Sequence, residues 1–317
     1  MKTYSLLTLL TLIFGCSEIE TNVEIEIIRI IDKPIIPPLL TEEIGDNVQG
    51  PSLIKAPTWL KNSLGKYYLY FADHKGDRIK LAYSDSLIGP WIVHFGGTLN
   101  LQDSYFLKET PDIPVDFDIE SLESREVHPD LINHIPKKID DLTIPHIASP
   151  DAHVDDSNER IIMYYHGLDE FGIQRTRVAT SKDGINFTAR KKIVGWPYFR
   201  KFTYKNNNYA LSMPGVIYKN IGDIEDFTIV NQVMEENTRH SAVLVKGDKL
   251  LIFYTRKGDS PERILLTTLD LTKPSSLWKV SKPIEVLKPE KEWEGASLPL
   301  YKSCLLYTSD AADEVDR

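Results

Sequence analysis

Asp151, His153 and His166 fall in one stretch, Ser149 to Gly167 (SPDAHVDDSNERIIMYYHG), that packs an acid, two histidines and a tyrosine pair into a strand-turn-strand unit. A histidine beside an acid suits proton transfer near neutrality, where imidazole titrates unaided. Asp151 and His153 are two apart, so on a strand they share a face. The turn Asp155-Asp156-Ser157-Asn158 is rich in side chains that bond their own backbone, and Ile161 to Tyr165 reads as a buried strand. In a hairpin the start of the first strand meets the end of the second, so Asp151 and His153 are expected to approach His166.

What must position these residues is a repeat. Pro51 to Ala56, Lys66 to Asp73, Arg78 to Ser84 and Trp91 to His94 read as four strands joined by turn-like links. The order returns at Ser149 to Val154, Arg160 to Tyr165, Thr176 to Ser181 and Phe187. A third, irregular copy is Tyr198 to Tyr204, Asn208 to Met213 and Val216 to Tyr218; a fourth is Arg239 to Val245, Lys249 to Thr255, Arg263 to Leu269 and Trp278 to Val280. A fifth begins at Glu292 to Leu300. Four-strand units with aromatic second strands, recurring about every 45 to 55 residues, predict an all-β fold, a five-bladed β-propeller with its last blade truncated. A β-sandwich would show similar strands without the internal echo.

In a propeller blade the start of the inner strand and the loop after the second strand share one rim. That rim is expected to gather Ser52, Asp73, His74, Asp151, His153, His166, Tyr198, Arg200, Arg239, His240, Arg256, Glu292 and Glu294. The connection 95–146, with His128, His134 and His146, is long enough to be a lid or binding loop over it.

The composition, 26% charged and 42% hydrophobic over 317 residues, allows a large core. A net charge of -9 with no long basic run lacks the footprint of a nucleic-acid binder. Lys2 precedes an apolar run, Leu6 to Phe14, too short to span a bilayer and shaped like a signal-peptide core. It ends Gly15-Cys16, which resembles a bacterial lipoprotein signal. On that reading 1–15 is the signal, Cys16 is lipidated, 16–46 is a linker, and the membrane is met through the anchor alone, on the exported side of the cell envelope. An ordinary signal peptide with a chance cysteine is the alternative. Cys16 is the only cysteine before Cys304, so no disulfide framework is expected. Residues 303–317 depart from the pattern, and Cys304 to Glu314 resembles the conceptual translation of a sequencing adapter, so the propeller is expected to occupy 47–302.

The stretches Asn47 to Trp59, Leu64 to Gly76, Ile79 to Trp91, Ser149 to Asp155, Arg239 to Ala242 and Pro261 to Leu266 resemble the five-bladed propeller glycosidase-like proteins around glycoside hydrolase families 43, 32 and 117, in a bacterial lipoprotein branch. The resemblance covers Asn47 to Leu300. It implies an oligosaccharide or polysaccharide in the channel, and inverting members place carboxylates at the starts of inner strands, a base and an acid about 6.5 to 9.5 Å apart. This chain departs from that plan, with Ser52 where the base aspartate is expected and Tyr198-Phe199-Arg200 without an acid. Asp151 matches the second-blade aspartate, as base or sugar holder. Glu294 or His240 is the implied proton donor, with His153 another candidate. Arg200 and Arg239 would clamp the substrate, and His153, His166, His74 and Asp73 would complete its binding. A glycosidase acting on an envelope or environmental glycan is one expectation; a non-catalytic carbohydrate-binding propeller is the alternative, and a partner-binding scaffold a third.

Trp59 and Trp196 suit sugar stacking or burial, and Tyr67, Tyr68, Tyr164 and Tyr165 suit sheet packing. The histidines follow no zinc-binding spacing, and no cofactor is expected. Asp155, Asp156 and Asn158 have the oxygen chemistry for a structural calcium without an EF-hand pattern.

Overall fold

In the computed structural model, which describes residues 25–38, 40–45, 47–118, 138–298 and 300, the repeat resolves into four antiparallel four-stranded meanders. Cys16, Cys304, His128 and His134 lie outside the described residues. Blade 1 is β1 (Gln49–Lys55), β2 (Tyr67–Ala72), β3 (Arg78–Ser84) and β4 (Ile92–Val93), with β5 (Leu99–Asn100) also on β3. Blade 2 is β6 (Ile147–Asp155), β7 (Arg160–Glu170), β8 (Ile173–Ser181) and β9 (Thr188–Ala189). Blade 3 is β10 (Arg200–Tyr204), β11 (Asn207–Ser212), β12 (Val216–Asn220) and β13 (Phe227–Gln232). Blade 4 is β14 (Thr238–Lys246), β15 (Lys249–Arg256), β16 (Ile264–Asp270) and β17 (Ile284–Leu287).

The second strands are apolar throughout because each is covered on both faces, and successive side chains point to opposite ones. On β7, Ile161, Met163 and Tyr165 pack toward blade 1, while Ile162 and Tyr164 pack toward blade 3. Leu250, Ile252 and Tyr254 of β15 join Phe202, Tyr209 and Leu211 of blade 3. On β2, Tyr68 and Tyr70 face blade 2, and Leu69 and Phe71 face outward onto Ile36 and Ile44 from the N-terminal segment. The tyrosines are therefore packing residues, and their hydroxyls tie blades together: Tyr70 donates to the Gly184 carbonyl at 2.8 Å and Tyr164 to that of Ile224 at 2.9 Å.

Two expectations are corrected. The fourth strand of blade 4 is β17, not Trp278 to Val280; Trp278 is buried against Phe202 and Tyr209, filling the seam between blades 3 and 4. The expected five blades are four among the described residues: Glu292–Glu294 forms a 3-10 turn where a fifth inner strand was expected. Where that blade would lie, the two ends of the described chain meet. Arg29 donates through Nε to Glu294 Oε1 (2.7 Å) and through Nη2 to Oε2 (2.9 Å), and through Nη1 to Glu290 (3.0 Å). The free face of β15, carrying Phe253, is left lining a cleft rather than packing on another sheet.

Each inner strand opens with the same irregularity. The ladder breaks between Gln49 and Ser52, between Ala148 and Asp151, and between Arg239 and Ala242. In blade 3 the Met213 N–H bonds Pro197 before the ladder resumes at Arg200. The residue after the break point is left-handed every time: Gly50 (φ +59°), Ser149 (+48°), Tyr198 (+57°) and His240 (+43°). Such bulges bend a strand and re-aim its side chains, and non-glycine residues held there mark functional sites. At Gly50 a Cβ would lie 2.8 Å from Ser149 Cα, so the bulges of blades 1 and 2 abut. Gly50→Ala is expected to cost about 1–3 kcal/mol in urea unfolding, from overpacking against backbone at a positive φ.

Of the connection 95–146, the described parts pack on blades 1 and 2: Leu99–Asn100 pairs with β3, and Leu99, Leu101 and Phe106 join the buried core between the two blades. Phe106 packs beneath Gly167, the Leu107 N–H bonds the Leu168 carbonyl, and α1 (Lys138–Thr143) bonds Gly172 through the Leu142 carbonyl and pairs Asp141 with Lys75.

Candidate functional site

The repeated bulge places one residue per blade at an equivalent point around the channel: Ser52, Asp151, Arg200 and Ala242. One of the four is a carboxylate. Asp151 Oδ2 accepts hydrogen bonds from His153 Nε2 (2.6 Å) and the Lys201 backbone N–H (2.8 Å), while Oδ1 has Arg200 Nη1 at 4.0 Å. Burial works to raise its pKa but is outweighed by His153, Arg200 and the Lys201 amide, which hold it below the usual carboxylate range. Asp151 is thus an ionised acceptor. Ser52 Oγ accepts from the Ala152 N–H at 2.9 Å, binding blade 1 to blade 2 beside it.

Arg200 is anchored to main chain: Nε donates to the Ser241 carbonyl (2.9 Å), and Nη1 to those of Pro150 (2.8 Å) and Ser149 (3.3 Å). It joins the bulges of blades 2 and 4. Its Nη2 makes no hydrogen bond among the described residues.

The hairpin of β6 and β7 does not unite Asp151, His153 and His166 into one triad. The bulge sets Asp151 opposite Tyr164 and His153 opposite Ile162, while His166 lies opposite Ala148 at the rim end. There His166 joins a run of rings, with centroids 6.0 Å from His146 and 4.5 Å from Tyr198; Tyr198 in turn lies 4.7 Å from His240. The left-handed bulge residues Tyr198 and His240 supply half of that run. Among the described residues, His166 Nδ1 is buried without a hydrogen-bond partner. Burial first, then the neighbouring His146, Arg200 and His74, push His166 well below the ordinary imidazole range. His240 is lowered in the same way, by burial first, then Arg239 and Arg200. A histidine held neutral accepts or donates a hydrogen bond without carrying charge.

The remaining expected residues have structural partners. Asp73 pairs with Lys80 at 2.6 Å, and the His74 N–H donates to Asn47 Oδ1 at 2.7 Å. Arg239 is buried against Glu262, Nε to Oε1 3.2 Å, with side chains 2% and 3% exposed, so it faces a carboxylate of its own blade rather than the channel. Glu294, clamped by Arg29, has its pKa lowered first by that hydrogen bond, which suits an ionised carboxylate rather than a proton donor. Asp155 is taken up by Arg160 and Asn158, and Asp156 by the Trp59 indole. Among the described residues no group of three or more histidine, cysteine, aspartate or glutamate side chains is placed to hold a metal ion.

Asp151, His153, Arg200, Lys201 and His240 share one cleft of about 1010 Å³ with Ser52, and it runs outward between blades 1 and 4 past Phe253 and Trp293 to Glu294. Lys201, Glu262, Arg29 and Trp293 were not singled out from sequence. Lys201 directly follows Arg200, and Glu262 stands in the quoted stretch Pro261 to Leu266; Arg29 had no sequence signal.

No family model matches the chain. An uncharacterized protein, R118, of Acanthamoeba polyphaga mimivirus is 32% identical over 280 residues, spanning 80% of this chain and 71% of the relative. The chain belongs to the family of that mimivirus protein. The relative is viral, so it does not support the bacterial lipoprotein branch; that reading rests on the N-terminal sequence. Among solved structures this chain's fold is similar to that of the GH43 BlXynB protein from Bacillus licheniformis, at 13% identity and TM-score 0.50 over 80% of this chain and 43% of that one. The exo-β-1,3-galactanase from Phanerochaete chrysosporium is 11% identical with TM-score 0.49, over 74% and 49%. The chain spans less than half the length of either structure. At such identities the likeness is one of fold alone, a β-propeller.

Proposed function

We propose that this chain is a saccharide-binding propeller of the glycosidase type, with the sugar held in the cleft at Asp151. The observation that carries the reading is the set of four equivalent channel positions, Ser52, Asp151, Arg200 and Ala242, which keeps one ionised carboxylate where acid-base hydrolysis uses at least two. An ionised carboxylate with an open oxygen is a hydrogen-bond acceptor for sugar hydroxyls, and Trp293 offers an aromatic face in the same cleft. The GH43 fold likeness agrees with a sugar ligand.

Hydrolysis is the second reading, favoured by the 2.6 Å pair of His153 and Asp151, in which the carboxylate would orient the imidazole to take a proton from water. Titration calorimetry against a panel of oligosaccharides, with reducing-end release measured in parallel, separates the two. Asp151→Asn is expected to weaken sugar binding about tenfold or more, the usual weight of a charge-assisted hydrogen bond. Sugar release that disappears in Asp151→Asn would establish the hydrolase; an oligosaccharide panel with no binder at all would end the saccharide reading.

The export reading is proposed on Gly15-Cys16 alone. Cys16→Ser is expected to move the protein from the membrane fraction to the soluble one; unchanged fractionation would refute the anchor.

A further inference from the structure

We propose that the saccharide taken by the cleft is acidic, carrying a carboxylate or sulfate that sits at the inner end against Arg200 and Lys201; this rests on the saccharide reading above. The chain as a whole is acidic, with a net charge of -9, yet the inner end of the cleft is not. Arg200 and Lys201 line it, with Asp151 as the facing carboxylate, already hydrogen-bonded by His153. Arg200 spends its hydrogen bonds on neutral carbonyls while standing 4.0 Å from Asp151, and among the described residues the Lys201 amine hydrogen-bonds the Thr203 hydroxyl alone, at 3.1 Å. The other acids of the cleft are engaged elsewhere, Glu262 by buried Arg239 and Glu294 by Arg29. The outer cations are engaged too, since Arg263 and Lys288 share Glu285. At the place where Asp151 would hold the sugar, two cations thus share this one carboxylate.

A second observation agrees. His240 lies in the cleft beside these cations, and after burial the charges of Arg239 and Arg200 are what depress its pKa, as expected in a positive local potential. Concave sites with low-dielectric walls focus such a field on a ligand. Arg200, with Nη2 uncommitted among the described residues and its plane fixed by backbone carbonyls, is a preorganised partner for an anionic oxygen.

The test is calorimetric titration of the wild-type chain with three trisaccharides: trigalacturonate, a sulfated galactotriose, and neutral galactotriose, each at low and at physiological salt. At least one acidic ligand is expected to bind about tenfold tighter than galactotriose, with the preference shrinking at higher salt. Whichever acidic arm is tighter identifies the group recognised. Lys201→Gln, which keeps the backbone amide on Asp151, is expected to remove most of the preference. If galactotriose binds as tightly as both acidic ligands, the inference is overturned while the saccharide reading stands. If none of the three binds although the chain is folded by circular dichroism, and the wider panel is also silent, both fall.

Discussion

Replacing Arg239 with leucine is expected to lower stability by about 3–5 kcal/mol, the usual cost of stranding one member of a buried ion pair. Arg239 and Glu262 are each almost wholly enclosed, joining β14 to the loop that leads from β15 into β16. Burial already raises the pKa of Glu262 against the opposing pull of Arg239. Without the guanidinium the carboxyl must take up a proton or remain a buried anion, so the variant's deficit should narrow as pH is lowered. Urea unfolding at two pH values measures this, and Arg239→Leu combined with Glu262→Leu should recover much of the loss. A deficit of under about 1 kcal/mol would mean that the pair is open to water. Because Arg239 precedes the strained His240, its loss should also disorder one wall of the cleft.

Acidification provides the second large effect. His146 is 2% exposed, and burial, with the charges of Lys75 and His74, pushes its pKa from 6.5 to about 4, against the Ile144 carbonyl that accepts from its Nδ1. Between those values the unfolded chain binds the proton and the folded one does not. Stability from this group is therefore complete above pH about 6.5 and is lost as pH falls toward 4, by about 3 kcal/mol for a shift of that size. His166 and His240, depressed for the same reason, act in the same direction. Urea midpoints should fall steeply from pH 7.5 to 5, and His146→Gln should flatten the slope. A profile flat over that range would show that the ring run is solvated.

Much of this was legible in the sequence because blade packing covers the second strands on both faces, which makes them continuous apolar runs. Arg78 to Ser84 was bounded as found, and the second strands of blades 1, 3 and 4 lie within a residue of expectation at each end, while β7 runs five residues past the expected Tyr165 to Glu170. β13 was missed because Phe227–Gln232 is half exposed and lacks the apolar run of its neighbours. Trp278 was misplaced because an aromatic residue reads alike in a strand and in a seam between blades. At the site, Asp151 with His153 followed from simple alternation, but His166 did not, since a bulge shifts register by an amount that no residue type announces. The bulge is visible only after the fact, in Gly-Pro-Ser, Ser-Pro-Asp, Tyr-Phe-Arg and His-Ser-Ala at matching points. The Arg29 clasp on Glu294, distant in sequence, carries no local pattern at all.

The position of a bound sugar decides whether the cleft is a saccharide site. A crystal structure of the protein with a bound acidic trisaccharide tests it most directly. The ligand is predicted in the cleft, with a hydroxyl on Asp151 Oδ1 and an anionic oxygen within hydrogen-bond reach of Lys201 Nζ or Arg200 Nη2. A saccharide ordered elsewhere on the blades, with that cleft holding only water, would contradict it.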